Sequence, residues 1–260
     1  MGNSASHSGT TDKPANSSAQ KSNKRSPTVA NDKPISNSDG IDSFLSTVKN
    51  TPPATVNDSR GRLIFALDAT ASRQSTWDRA TSLQGDMFTK TRGLGALDIQ
   101  LVYYRGYREC RSSKWISQPE KLLDLMKKVN CEAGKTQIVR ILKHALSEAR
   151  LNPVHALVFI GDCAEESIDV LGDFAGKLRI SGLPVFIFQE GHDANASYVF
   201  AQIAKISGGA HCRFDSASAM QLGELLNAVA VYAAGGNTAL RKLSRQGSEQ
   251  ATIMLEQMKT

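Results

Sequence analysis

The segment RLIFALDATAS, residues 62–72, decides the fold that this sequence predicts. It opens with a continuous apolar run of strand length, which is typical of a strand buried on both faces of a parallel sheet. A second apolar run, VHALVFIGD at residues 154–162, has the same form. Both runs end in an aspartate, so we expect Asp68 and Asp162 at the carboxyl ends of two buried strands.

Apolar runs alternate with segments of helical periodicity across residues 60–233, which is the pattern of strands joined by crossover helices. The first crossover helix is predicted at residues 75–88. Strands are predicted at 62–68, 97–104, 154–162, 183–191 and 210–214, with the short segment 113–117 as an antiparallel edge strand. The predicted fold class is therefore α/β, with a doubly wound, mostly parallel sheet, one short antiparallel edge strand and helices on both faces.

The two ends of the chain are predicted to lie outside this domain. Residues 1–59 are polar and contain no apolar run that offsets the entropy of ordering, so we predict a disordered tail with a short helix at 41–48. Residues 234–260 are predicted to form a C-terminal extension that is either helical or mobile. No segment has the length and apolar character of a membrane span or a secretory signal, and a cytoplasmic location is the resulting expectation.

Composition and motifs argue against several classes of function. The net charge of +6 is spread without runs of Lys or Arg, so no specific nucleic-acid partner is expected. The four cysteines contain no C-x-x-C pair, which argues against a zinc site. His192 and His211 have no Ser or Cys partner that the sequence can place, so a catalytic histidine is not predicted.

The tripeptide Gly134-Lys135-Thr136 suggests a nucleotide site at first sight. A phosphate loop needs a strand, then G-x-x-x-x-G-K-[ST], then a helix. Val129 occupies the position of the first glycine, and the residues before it have helical spacing. We therefore predict no phosphate loop, but a helix that starts near Thr136 and leaves its hydroxyl free for another role.

Side chains with oxygen atoms follow the ends of the predicted strands. Asp68, Thr70 and Ser72 alternate as the chain leaves its first strand, Asp162 ends another strand, and Thr136 begins a helix between them. Carboxylate and hydroxyl oxygens are the donors that Mg²⁺ prefers. Ligands of parallel sheets bind at the carboxyl ends of the strands, so these five residues predict a metal site there.

Together these residues resemble the von Willebrand factor A-type (VWA) domain, whose metal-ion-dependent adhesion site (MIDAS) has the pattern D-x-S-x-S, a distant Thr and a distant Asp. The resemblance covers residues 60–233 and suggests a cytoplasmic bacterial type. Thr70 departs from the usual serine, keeping the hydroxyl but adding a β-branch that restricts χ1. By position, the resemblance assigns the metal to Asp68, Thr70, Ser72, Thr136 and Asp162.

The resemblance implies a protein-interaction module and not an enzyme. Mg²⁺, with Mn²⁺ as an alternative, would keep an open coordination position for an Asp or Glu side chain of a partner protein. The rim residues expected to contact that partner are Arg105, Tyr107, Arg108 and Glu190. Glu165 and Glu166 are expected at a solvated helix start, where the helix dipole favours acidic side chains.

Two alternatives remain open at this point. One is a metal-dependent phosphohydrolase with Asp68 as its nucleophile, although such enzymes usually carry a second acid two residues later and Thr70 stands at that position. The other is a structural domain whose site stays empty.

Overall fold

A computed structural model describes residues 60–74, 97–215 and 219–259 of the chain. The predicted tail, its helix at 41–48 and the predicted crossover helix at 75–88 lie outside these ranges. The strands are β1 (Gly61–Asp68), β2 (Leu97–Arg105), β3 (Glu109–Ser112), β4 (Ala156–Gly161), β5 (Val185–Glu190) and β6 (His211–Phe214). The α-helices are α1 (Pro119–Met126), α2 (Ile138–Leu151), α3 (Ile168–Ile180), α4 (Ala194–Ser207), α5 (Ala219–Arg245) and α6 (Glu249–Gln257).

The six strands form one sheet in the order β3-β2-β1-β4-β5-β6. Every neighbouring pair is parallel except β2 and β3, which are antiparallel. The predicted α/β fold with a mostly parallel sheet and one antiparallel edge strand is therefore confirmed.

The position predicted for the edge strand was wrong. β3 occupies Glu109–Ser112 and not residues 113–117, of which Ile116 forms a single bridge with Ile99. The cause is Gly106, whose positive φ of 55° allows the chain to reverse directly after β2. The return strand therefore begins earlier than the apolar residues of 113–117 suggested.

Helices cover both faces of the sheet, as the fold class required. Alternate residues of β1 point to opposite faces, so Leu63 and Phe65 belong to one buried cluster while Ile64 and Ala66 belong to the other. The first cluster is closed by residues of α1, α5 and α6, and the second by residues of α2, α3 and α4.

The residues after 233 are helical and pack into the domain. α5 continues to Arg245 with a break at Gly236, whose positive φ of 62° suits a residue without a Cβ. α6 then turns back, and Met254 is fully buried in the same cluster as β1. At the sheet edge, the side-chain amide of Gln257 donates to the carbonyl of His211 (2.9 Å) and accepts from its N–H (2.8 Å). α6 thus covers part of the exposed edge of β6.

The strand order places β1 and β4 side by side at the sheet's switch point, because the chain goes to β2 on one side and to β5 on the other. Asp68 ends β1 and Asp162 directly follows β4, so both lie where ligands of such sheets bind. None of the helices in the described ranges combines the length and apolar character needed to cross a lipid bilayer.

Candidate metal centre

Asp68 is the most enclosed of the predicted metal ligands, with 1% of its surface exposed. One carboxylate oxygen, Oδ1, accepts the backbone N–H of Thr70 at 2.8 Å. The other, Oδ2, accepts the hydroxyl of Tyr104 at 2.8 Å, and Tyr104 lies opposite Asp68 in the β1–β2 register. Burial raises the pKa of Asp68, while the hydrogen bonds from Thr70 and Tyr104 lower it and the charge of Asp162 raises it again.

The hydroxyls of Thr70 and Ser72 form a pair next to Asp68. Thr70 Oγ1 and Ser72 Oγ are 3.2 Å apart, with Thr70 buried and Ser72 exposed. Two oxygens that bind Mg²⁺ at about 2.1 Å and at right angles lie about 3.0 Å apart. The spacing of the two hydroxyls is therefore suitable for adjacent ligands of one octahedral ion.

Hydrogen bonds join the three loops that carry the predicted ligands. The N–H of Glu132 donates to the carbonyl of Ala69 at 3.0 Å, which ties the second loop to the first. Thr136 and Glu165 tie the second loop to the third, since Thr136 Oγ1 accepts the N–H of Glu165 (3.1 Å) and Glu165 Oε2 accepts the N–H of Thr136 (2.9 Å). Asp162, half-buried, lies three residues before Glu165 in that loop.

These contacts correct two expectations. The hydroxyl of Thr136 is not free, and α2 begins at Ile138 with Gln137 as its N-cap, so Thr136 lies just before the helix. Glu165 and Glu166 do not serve the start of their own helix, α3, because their carboxylates accept the N–H groups of Thr136 and Val139. Glu166 caps the start of α2, where Gln137 makes no side-chain cap of its own, and Glu165 holds the residue just before that cap.

Gly134 has a packing role that explains why a glycine precedes Lys135 and Thr136. A Cβ atom at residue 134 would lie 1.9 Å from the carbonyl oxygen of Gly106. The same carbonyl accepts the N–H of Lys135 at 3.2 Å and the side-chain amide of Gln137 at 3.2 Å. The loop that carries Thr136 is therefore held against the turn after β2, and only glycine fits at the contact.

We expect Gly134→Ala to destabilise the domain by about 1–3 kcal/mol, because the added methyl group forces two backbone segments apart. The measurement is urea unfolding, with Gly172→Ala as the control. A Cβ at residue 172, inside α3, has its nearest neighbour at 3.5 Å, so this control should be neutral or stabilising, by up to about 1 kcal/mol. Equal effects of the two substitutions would contradict the close approach of residues 134 and 106.

Arg73 is a residue of this site that the sequence pattern does not predict. It ends the single turn of 3₁₀ helix at Ala71–Arg73, and only 1% of its surface is exposed. Its guanidinium forms an ion pair with the carboxylate of Glu190, at the end of β5. Burial lowers the pKa of Arg73, whereas the charges of Asp162 and Asp68 raise it. Its neighbours in the sequence, Ser72 and Gln74, are exposed, and nothing in the local pattern signals its burial.

The four predicted rim residues differ in their surroundings. Arg105 is occupied by ion pairs with Glu109 (3.1 Å) and Glu132 (3.1 Å), and Glu190 pairs with Arg73. Tyr107 is 73% exposed and Arg108 is also exposed, both in the turn between β2 and β3. Tyr107 and Arg108 are thus the two of the four whose side chains face solvent.

The donor set at the switch point suits a hard cation bound largely by hydroxyls. In the described parts of the chain, no three His, Cys, Asp or Glu side chains are grouped as metal ligands. A site here would therefore depend on Thr70, Ser72 and Thr136 to complete a shell around Asp68 and Asp162. Oxygen donors of this kind suit Mg²⁺ better than zinc, which favours His and Cys.

Comparisons with known proteins identify the fold. No family model and no curated protein matches the sequence. Among solved structures, a von Willebrand factor type A protein from Catenulispora acidiphila matches with a TM-score of 0.54 and 14% identity, over 68% of this chain and 43% of that one. The D319A mutant of the PilB minor pilin from Streptococcus sanguinis matches with a TM-score of 0.55 and 9% identity, over 68% of this chain and 62% of that one.

A third structure, the pilus adhesin SpaC from Lactobacillus rhamnosus GG in its open conformation, matches with a TM-score of 0.52 and 11% identity. That match covers 69% of this chain and 30% of SpaC, so the chain spans less than two thirds of the length of each of these three proteins. Identities this low establish the fold alone. The chain has a VWA-like fold.

Proposed function

We propose that this protein is a metal-dependent protein-interaction module whose MIDAS-type site binds Mg²⁺, with Mn²⁺ as an alternative. The ligands would be Asp68, Thr70, Ser72, Thr136 and Asp162. The observation that supports this most directly is the pair of hydroxyl oxygens 3.2 Å apart beside the carboxylate of Asp68. It lies at the switch point of the sheet, where ligands of α/β folds bind.

A divalent ion at this site would keep most of its charge and offer an open position to a carboxylate of a partner protein. The chain's own residues prepare the site for it. Tyr104 and the backbone of Thr70 fix the carboxylate of Asp68, while the Thr136–Glu165 contacts hold the second loop against the third. Such fixed side chains lose little entropy when they bind a ligand.

The partner that fits this site is a protein that presents an Asp or Glu side chain. Tyr107 and Arg108 are exposed in the turn after β2. They directly follow Gly106, whose carbonyl accepts the N–H of Lys135 in the second loop at 3.2 Å, and they are the rim residues that we propose contact the partner. Aromatic and Arg side chains are enriched where proteins bind one another. We further propose that the protein works in the cytoplasm.

Binding without bond breaking is favoured over hydrolysis because of the state of Asp68. Its side chain is 1% exposed, and both of its oxygens accept hydrogen bonds from the protein. A carboxylate nucleophile must reach the substrate's phosphorus itself, whereas a metal ligand needs only a second lone pair on an oxygen that already accepts one hydrogen bond. We therefore propose that the protein is not an enzyme.

Metal binding can be tested by thermal unfolding after chelation, with Mg²⁺ or Mn²⁺ then added. A metal that binds only the folded state stabilises it by about 2.7 kcal/mol at a hundredfold excess over its dissociation constant. This stabilisation appears as a higher unfolding temperature. We expect it for the wild type but not for Asp68→Asn, which removes the charge but preserves the shape of the side chain.

The matched control is Asp173→Asn, which changes an exposed carboxylate on α3 that pairs with Lys177. It should respond to metal as the wild type does. No shift in the wild type at millimolar metal would contradict the proposed site. Metal-dependent release of phosphate from p-nitrophenyl phosphate that Asp68→Asn abolishes would instead support a phosphohydrolase.

A further inference from the structure

Arg73 places a buried positive charge next to the residues that are proposed to bind a divalent cation. Its side chain is 1% exposed, and its charge interacts with those of Asp162 and Asp68. A guanidinium remains protonated at any physiological pH, so this charge is permanent. Like charges repel strongly away from water, so a cation site with a permanent cation beside it binds metal more weakly than the same site without one.

The position of the guanidinium is fixed by Glu190. The carboxylate of Glu190 pairs with one terminal nitrogen of Arg73, while the backbone N–H of Arg73 donates to the carbonyl of Thr70 at 2.9 Å. Asp68 has both carboxylate oxygens engaged by Thr70 and Tyr104. The ion pair that Arg73 makes is therefore with the end of β5 and not with the carboxylate of β1.

Arg73 has a hydrogen-bond donor that this ion pair does not use. Its Nε atom is buried and has no hydrogen-bond partner among the residues that the structure describes. A buried donor without a partner costs free energy, so the guanidinium would gain by turning toward another acceptor. The acidic groups besides Glu190 whose charges act on Arg73 are Asp162 and Asp68, which are proposed metal ligands.

Apart from Glu165 and Glu166, whose carboxylates accept N–H groups at the start of α2 and just before it, the charges that surround Arg73 match one divalent ion. The carboxylates of Asp68, Asp162 and Glu190 carry three negative charges and Arg73 carries one positive charge, which leaves −2. One Mg²⁺ or Mn²⁺ neutralises that charge. Without Glu190 the remaining charge would be −1, and Arg73 would have only the metal ligands as acidic partners.

We propose that the Arg73–Glu190 pair sets the metal affinity of the site, with Glu190 holding Arg73 away from the metal ligands. Glu190 is then a positioning residue, and the partner contact expected for it from the sequence is left to Tyr107 and Arg108. This inference rests on the proposed metal site, since it concerns how strongly that site binds a cation.

The test measures Mn²⁺ binding to the full chain by electron paramagnetic resonance, which detects the free ion directly. Glu190→Gln should weaken binding about tenfold or more, since a negative charge is lost and Arg73 is released toward the metal ligands. Arg73→Met should tighten binding, since the repelling charge is lost. The double variant Arg73→Met/Glu190→Gln keeps the charge of −2 on the remaining carboxylates and should bind close to wild type.

Glu109→Gln is the matched control, because Glu109 is also a partly buried carboxylate, with 26% of its side chain exposed, in an ion pair with an arginine. It should leave Mn²⁺ affinity unchanged. If the wild type binds no Mn²⁺, the proposed metal site is wrong. If the wild type binds Mn²⁺ but Glu190→Gln binds it with the same affinity, or if the double variant binds it as weakly as Glu190→Gln, the metal site stands and the role of the Arg73–Glu190 pair is overturned. Those two variants decide the question even if Arg73→Met fails to fold.

Discussion

Met254→Ala is expected to destabilise the domain by about 2–5 kcal/mol, because it removes most of a buried side chain and leaves a cavity. Met254 lies in α6, is fully buried and belongs to the same core cluster as Leu63 and Phe65 of the central strand β1. The loss should therefore appear in the unfolding of the whole domain, and not as the melting of a separate C-terminal segment. The free energy of unfolding is measured by urea titration. Circular dichroism follows the loss of helix, and tryptophan fluorescence follows the loss of packing.

Met220→Ala is the control for this prediction. Met220 lies at the start of α5 with 75% of its surface exposed, so its truncation should change the free energy of unfolding by less than about 0.5 kcal/mol. If Met254→Ala costs no more than Met220→Ala, α6 is not part of the folded core. In that case residues 234–260 would be an extension that the VWA-like domain does not need for its stability.

The buried strands could be predicted from the sequence because their apolar runs are continuous. Residues such as Ile64, Phe65 and Val158 are apolar whichever face they point to, so no other arrangement buries the run as well as a strand covered on both sides. The ends of those runs then predict that Asp68 and Asp162 lie together at the carboxyl ends of the central strands. The edge strand β3 lacks this signal, since Glu109 and Arg111 are polar and its place depends on the turn at Gly106.

The contacts that shape the site could not be predicted in the same way, because they join elements far apart in the chain. Tyr104 belongs to the apolar run of β2, and only the β1–β2 register brings its hydroxyl to Asp68. Glu166 caps α2 and Glu165 binds Thr136 just before it, because the loop after β4 lies beside the start of that helix. Local patterns identify which residues carry oxygen or charge, whereas register and packing decide which of them meet.

The burial of Arg73 is the clearest example of a contact that the local sequence does not predict. It also leads to a prediction about stability. Arg73→Met is expected to destabilise the metal-free domain by about 3–5 kcal/mol, since it leaves the carboxylate of Glu190 without the cation that it pairs with. Only 13% of the Glu190 side chain is exposed, so water replaces that partner poorly. Adding Glu190→Gln should restore most of the loss, because exchanging a buried ion pair for neutral groups of similar volume is often close to neutral.

Urea unfolding in the presence of a chelator measures both variants, with Arg60→Met as the control. Arg60 pairs with Asp98 at 2.9 Å, but its side chain is 46% exposed, and surface ion pairs contribute only about 0–1 kcal/mol. If Arg73→Met costs no more than Arg60→Met, the Arg73–Glu190 pair is solvated in solution. A cost of several kcal/mol that Glu190→Gln relieves would show that the two charges depend on each other for stability. The charge near the metal ligands would then be maintained by the fold itself, whether or not a metal is bound.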